Sequence, residues 1–359
     1  MPHRKRLMLS LSKHARRCCS DSKCAGKVVF LAGMAALAAG AAPVQAETVK
    51  VGISKLLGYV GVPVATAQGY FTAEGIDIDM VYFDSAQPIA VAVASGDVDF
   101  GVSGMSAGFY TLAAQGQLRL IASSGGEAKG YHNLVYLSSS KAYDSGFKSL
   151  ADMPGHSIAI TQIGTSLHYA IGLLAEKEGF ALSAVTVKPL QSNTNVIAAL
   201  TGGTVDAAVM PSSVALPALQ RGDAKLLGWV SDVAPNWSTG SAAFTSTKAT
   251  NERGDLVRRF LAAYRKGMRD FHDAFIASDG TRRDGPTAPA ILAIMSSFTG
   301  IAPEELLKAI PYVDRDGRIA AADIARQIAW YKAQNLLRGD VKAEELIDSR
   351  YAIPLLAAK

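Results

Sequence analysis

The chain has 359 residues, 49% of them hydrophobic, a formal net charge of +5 and three cysteines. The basic excess sits at the start: eight lysines and arginines against the single acid Asp21 precede residue 46, and the rest of the chain holds 28 basic and 30 acidic side chains, a net charge of −2. Such a balance offers no concentrated basic surface for nucleic acid. Because Cys18, Cys19 and Cys24 all lie in the opening stretch, the remainder has no disulfide, thiolate metal site or cysteine nucleophile to offer.

The basic opening is followed by an apolar run from Val28 to Ala42 and by Val44-Gln45-Ala46, a small-x-small cleavage pattern. This predicts a signal peptide over residues 1–46 and export to the periplasm. The run is short for a bilayer span, a retained anchor being the alternative. The residues around Arg16-Arg17 do not support a twin-arginine signal. About 313 residues remain, enough for two domains with cores of their own.

From Val49 the chain spells one supersecondary unit twice. The first copy, Val49 to Val102, runs through a strand ending at Ile53, a turn at Gly58 and a helix. A strand comes next in which Ile76, Ile78 and Met80 alternate with Asp77 and Asp79, then a helix from Pro88 to Gly96 and a closing strand. The second copy, Ser157 to Val209, opens on Ile158–Ile160 and turns at Gly164. Its helix carries Leu167, Ala170, Ile171 and Leu174 at helical spacing, with Thr165 and Ser166 hydroxyls at its start and Gly179 at its end. The closing phrases correspond, Gly96-Asp97-Val98-Asp99 answering Gly203-Thr204-Val205-Asp206. Strands alternating with helices predict an α/β fold of parallel-rich sheets covered on both faces, here two lobes with a cleft between them.

Between the copies, Leu118–Ser123 and Leu134–Leu137 read as strands joined by the polar, glycine-rich Ser124–Gly130. After the second copy, Lys225–Val230 is another strand and Ser231–Thr247 has no period. These regions are the expected crossings of a hinge, giving one lobe from 47–128 with 229–359 and a second from 129–228. From Asn251 onward Leu256, Phe260, Tyr264, Met268 and Phe271 recur every three to four residues, a helical extension. Arg258, Arg259, Arg265, Lys266 and Arg269 read as its solvated face. Asp314-Arg315-Asp316-Gly317 reads as a turn before a helix from Ala321. A calcium loop would need an acid where Tyr312 stands and a glutamate where Asp323 stands.

Gly69-Tyr70-Phe71-Thr72-Ala73-Glu74-Gly75-Ile76-Asp77-Ile78 resembles a signature of nitrate/sulfonate/taurine-type substrate-binding proteins of ABC importers. Ala94–Gly101, Ser149–Gly155 and Tyr312–Ile319 running into Trp330-Tyr331 resemble further phrases of that family, and the likeness covers nearly all of 47–353. It implies a type II periplasmic binding protein, monomeric and without a cofactor, that captures a small solute and presents it to an ABC permease. The family also includes binders of thiamine-pyrimidine precursors and enzymes that make that pyrimidine; those enzymes use a cysteine-rich segment, and no cysteine follows Cys24 here.

In parallel α/β sheets ligands sit beyond the carboxyl ends of the strands. Applied to both copies, that rule selects Ser54, Leu57 and Tyr59, Phe83 and Ser85, and Ser103, Gly104 and Met105 in the first. In the second it selects Gln162, Gly164, Thr165, Ser166 and His168, then Asn193, and Met210 and Ser212. The set is rich in hydroxyls and amides and poor in acids, which suits an organic anion such as a sulfonate or carboxylate, or a neutral polar ligand. Thr165 and Ser166 are the strongest candidates, because a helix start offers unpaired N–H groups and partial positive charge; ordinary capping is the other reading of the same residues. Lys55 is a candidate cation, and Tyr59, Phe83, Met105, Trp229 and Trp237 are candidates for an apolar wall or for core packing.

Two other classes stay open. Gly104-Met105-Ser106-Ala107-Gly108 matches a nucleophile elbow, with Asp232 and His272 following in order, but His272 falls inside the C-terminal helix. A metal carrier would need clustered ligands, and His132, His156, His168 and His272 have no chelating spacing.

Overall fold

The computed structural model describes residues 46–337, 339 and 341–356; the expected signal segment lies outside them up to residue 45, together with the three cysteines and Arg16-Arg17. In chain order the strands are β1 (Glu47–Ile53), β2 (Ile76–Tyr82), β3 (Phe100–Gly104), β4 (Leu118–Ser123), β5 (Gly125–Gly126) and β6 (Leu134–Ser139). They continue as β7 (Ser157–Ile160), β8 (Thr186–Pro189), β9 (Ala207–Pro211), β10 (Ala224–Trp229), β11 (Ser241–Ser246) and β12 (Tyr312–Val313).

Two five-stranded sheets result, in the orders β2-β1-β3-β11-β4 and β10-β6-β9-β7-β8, with β5 and β12 forming a separate two-stranded ribbon. The internal repeat is visible in the pairing: β1 lies between parallel β2 and β3, and β7 lies between parallel β8 and β9. Antiparallel strands complete both sheets, β11 between β3 and β4, and β6 between β9 and β10. The α/β class expected from the alternation of elements is what the chain forms.

The stretch Ser231–Thr247 departs from the expectation that it is without regular structure, since β11 lies in it, inserted into the first sheet. Five of its six residues are buried, so both faces are covered and no period-two alternation survives in Ser-Ala-Ala-Phe-Thr-Ser.

The chain leaves the first sheet after β4 and returns to it as β11, and the two crossings run side by side. Ser124 N–H donates to Ser241 O at 2.9 Å and Glu127 N–H to Trp237 O at 2.8 Å. Gly126 is needed for this approach, because a Cβ there would stand 2.1 Å from Ser238 O.

The helix Gly254–Phe275 buries Leu256, Phe260, Tyr264, Met268 and Phe271 against the first sheet's side, with Phe260 stacked on Phe100 at 3.9 Å. Its basic residues are tied down rather than simply solvated. Arg259 joins Arg253 in holding Glu47, Arg265 donates to Tyr351 O, and Arg269 pairs with Asp316. Asp314–Gly317 is a turn, the Asp314 carboxylate accepting the N–H groups of Asp316 and Arg318.

A later helix, Ala321–Ala333, touches both halves. Tyr331 donates to Met105 O at 3.1 Å, and Tyr110 donates to Gln327 Oε1 at 2.5 Å. On the other side Trp330 meets His168 and Tyr169 edge-on, at 5.1 and 5.4 Å between ring centres. One apolar core accordingly joins Leu120 and Phe244 of the first sheet to Tyr136 and Val209 of the second through Ile328 and Tyr331.

Candidate functional site: a pocket between the two sheets

A pocket lies where the carboxyl ends of β1, β3, β7 and β9 face one another. From the first sheet come Ser54, Leu56, Leu57, Gly58, Tyr59, Asp84, Ser85, Ala86 and Gly104; from the second come Thr161, Thr165, Ser166, Leu167, Asn193, Pro211 and Ser213. The crossings add Glu127, Asn133, Trp237, Gly240 and Ser241.

Of the residues the sequence pointed to, the fold brings Ser54, Leu57, Tyr59, Ser85, Gly104, Thr165, Ser166 and Asn193 to this pocket. Tyr59 accepts the Gly104 N–H at 3.1 Å, and burial pushes its pKa up to about 12, so it stands there as a neutral phenol. Ser54 donates to Phe83 O at 2.7 Å. Ser85 and Thr165 occupy N-cap positions, yet neither side chain caps its helix. Ser85 donates instead to Gln162 Oε1 at 3.3 Å across the cleft, and Thr165 to Gln162 O at 2.8 Å. The N–H groups at the start of Ser166–Glu178 are therefore not consumed by a side-chain cap, and a partial positive charge points at the pocket. The two sides also meet directly, Ala107 N–H donating to Gly164 O at 2.8 Å.

The other expected residues lie behind the lining. Phe83 packs into the shared core, and Ser103 is buried and donates to Gly104 O. Met105 is buried beneath Tyr331, and Met210 belongs to the second sheet's core. Gln162 bridges Ser85 and Gln191, while Gly164 takes a left-handed φ of 76° at the turn. Ser212 turns its hydroxyl into the interior without a partner. His168 accepts the Gly164 N–H on Nδ1 at 3.2 Å, and burial lowers its pKa to about 4, so it buttresses the turn as a neutral ring.

The lining differs from the acid-poor surface expected. It carries Asp84 and the buried Glu127, and among the described residues it includes no lysine, arginine or histidine. Lys55 instead lies over the Tyr82 ring at 4.6 Å. Glu127 and Asn133 went unrecognised because the rule of strand ends does not reach a crossing; the one available signal was an acid inside an otherwise glycine- and serine-rich connection.

The fold has known counterparts. The family model described as NMT1/THI5 like matches residues 58–274, which is more than half of the chain. The chain belongs to the NMT1/THI5-like family. Among solved structures this NMT1/THI5-like protein is similar to the ligand-binding component of an ABC-type import system from Staphylococcus aureus, with a TM-score of 0.69 and 11% identity over 85% of this chain and 97% of that one. It is also similar to the alkanesulfonate-binding protein SsuA from Xanthomonas axonopodis bound to MOPS, with a TM-score of 0.66 and 20% identity over 84% of this chain and 97% of that one. The aliphatic sulphonate-binding SsuA of Escherichia coli gives a TM-score of 0.65 and 19% identity, covering 85% and 98%. At these identities the likeness is one of fold, that of the periplasmic binding proteins. None of the curated proteins matches the sequence.

In this NMT1/THI5-like chain Ser106 is fully buried and caps the helix Ala107–Ala114 by accepting the Phe109 N–H at 3.0 Å. His272 faces Asp273 at 3.1 Å, and no hydrogen bond joins Ser106 to His272 or Asp232 among the described residues. Among the described residues, no group of three or more His, Cys, Asp or Glu side chains is placed to hold a metal ion.

Proposed function

We propose that this chain is the solute-binding component of an ABC-type importer, working as a periplasmic monomer that delivers a small solute to a permease. The observation that carries the reading is a pocket lined from both sheets and both crossings, so that one bound molecule touches everything that hinge motion would separate. A ligand bridging the two sides lowers the free energy of the closed arrangement relative to the open one, and no bond need be broken.

Two kinds of solute fit. An organic anion, such as a sulfonate or a carboxylate, suits the uncapped start of Ser166–Glu178 with the hydroxyls of Thr165 and Ser166. A neutral thiamine-pyrimidine precursor is favoured by a lining that has no lysine, arginine or histidine among the described residues, and by the Tyr59 and Trp237 rings. Calorimetry and small-angle scattering of the protein without its first 46 residues test the reading. Ethanesulfonate, benzoate or a substituted pyrimidine is expected to bind at micromolar concentration and to reduce the radius of gyration. Binding without compaction would exclude hinge closure, and neither response with any of them would exclude the transport role.

A further inference from the structure

Glu127 is 1% exposed, lines the pocket, and neither of its carboxylate oxygens has a hydrogen-bond partner. The Asn133 amide and the Leu134 N–H approach it without reaching hydrogen-bond geometry, and burial pushes its carboxyl well above the usual carboxylate range. Its backbone is fixed, because its N–H is bonded to Trp237 O in the paired crossings. Two further polar atoms of the same lining are buried and unpartnered, Asn193 Oδ1 and the indole N–H of Trp237. Buried polar atoms are ordinarily paired, and three orphaned groups around one pocket, four atoms in all, mark what a ligand completes. Asn193 Oδ1 is an acceptor, and the Glu127 carboxyl offers at least one acceptor oxygen in either protonation state. Among the described residues no lysine, arginine or histidine stands in the lining to answer them.

We infer that Glu127 receives a nitrogen-borne hydrogen of the solute, so that the ligand carries an N–H donor at its Glu127 end in addition to any acceptor group it turns toward the helix starts. The inference rests on the solute-binding reading and narrows it: a simple anion can take only the single O–H of the protonated carboxyl, leaves its other oxygen unanswered, and adds like charge whenever Glu127 is ionised. A charged ammonium and a neutral aminoheterocycle share the donor chemistry and differ in what they ask of Glu127. The ammonium prefers the carboxylate; the neutral amine is also served by an uncharged acceptor.

The test uses two matched pairs of probes on the leaderless protein, ethanesulfonate against 2-aminoethanesulfonate and pyrimidine against 4-aminopyrimidine, measured by calorimetry between pH 6 and 8. In at least one pair the amino compound is expected to bind tenfold or more tighter than its parent, the range of one hydrogen bond to a charged or buried partner. If the source is an ammonium, that gain grows with pH and disappears in Glu127→Gln. If it is a neutral amine, the gain survives in Glu127→Gln through the amide oxygen and disappears in Glu127→Leu. Parents that bind as well as their amino derivatives overturn the inference while leaving the solute-binding reading intact. Should none of the four bind, that reading loses its support, and thermal melting of the unliganded protein still decides for Glu127. A carboxyl kept for a ligand is a burden without one, so Glu127→Gln is expected to melt several degrees higher at pH 8; a lower melting point would assign Glu127 to structure and overturn the inference.

Discussion

Gly172 and Trp330 leave no space between them: a Cβ on Gly172 would stand 2.3 Å from the indole nitrogen. Gly172 lies in the helix whose start lines the pocket, and Trp330 on the helix fastened to Met105 and Tyr110 of the other half, so the contact is a strut across the cleft.

Truncating that strut is expected to destabilise and loosen the protein together. Trp330→Ala removes a half-buried indole and should cost ~2 kcal/mol in urea unfolding, with a larger radius of gyration in the unliganded state. Gly172→Ala in the parent forces the indole away and should cost ~1–2 kcal/mol. With Trp330→Ala the obstacle is gone, and the same change should become stabilising by up to ~1 kcal/mol, since alanine is the better helix former. Additive effects in this cycle would mean that the two residues do not press on each other.

A second close approach lies in the pocket. A Cβ on Gly104 would come within 2.5 Å of Ser166 Oγ and 3.3 Å of Ser166 Cβ. Gly104→Ala is therefore expected to hold the two sides apart and weaken solute binding tenfold or more, with little change in unliganded melting temperature. Ser166→Ala in the same background removes the atom that collides and should let the sides approach again, read as a smaller radius of gyration with solute than Gly104→Ala alone gives, whatever the lost hydroxyl costs in affinity. Unchanged binding by Gly104→Ala would show that the halves never come this close in the liganded protein.

The neutral state of His168 predicts a pH dependence of definite sign. Its pKa is about 4 in the fold against 6.5 unfolded, so the folded protein binds fewer protons. Its contribution is complete above pH 6.5 and is lost as pH falls toward 4, amounting to roughly 2–3 kcal/mol across that window. His168→Asn keeps an acceptor for the Gly164 N–H but does not titrate there. Melting temperatures of parent and variant, subtracted at each pH, should converge or cross on acidification, and a flat difference would contradict the assignment.

The repeat was legible because each unit carries its own signals, Pro88 near the start of a helix and Gly96 and Gly179 closing helices with left-handed φ, and these local rules survive any tertiary context. Strand-end logic likewise found Ser54, Ser85, Thr165 and Asn193, since each stands at the start of a turn or helix beyond a strand. It overreached with Ser103, Met105 and Met210, because alternation along a strand turns every second residue away from a cleft and a short buried strand does not reveal which. β11 was invisible for a related reason, both faces being covered. Glu127 was out of reach because its burial depends on Trp237, some 110 residues later, running beside it.

Asp323 links the strut helix to this pairing of crossings. It is 3% exposed and accepts the Thr239 N–H at 2.9 Å and the Ser238 hydroxyl at 3.1 Å, while Arg326 pairs with its other oxygen. Asp323→Ala leaves a buried N–H at Thr239, itself fully buried, and leaves the half-exposed Arg326 without its partner; a loss of ~2–4 kcal/mol is expected. Asp323→Asn keeps one acceptor and should cost about half as much. Because Trp237 O receives the Glu127 N–H only two residues before Thr239, the damage should spread along the crossing into the pocket and weaken solute binding in both variants. Hydrogen exchange reads this directly: the Thr239 and Glu127 amides should lose protection together, ahead of the strands on either side. If Thr239 exchanges faster while Glu127 stays protected, the crossings are held by something other than this carboxylate.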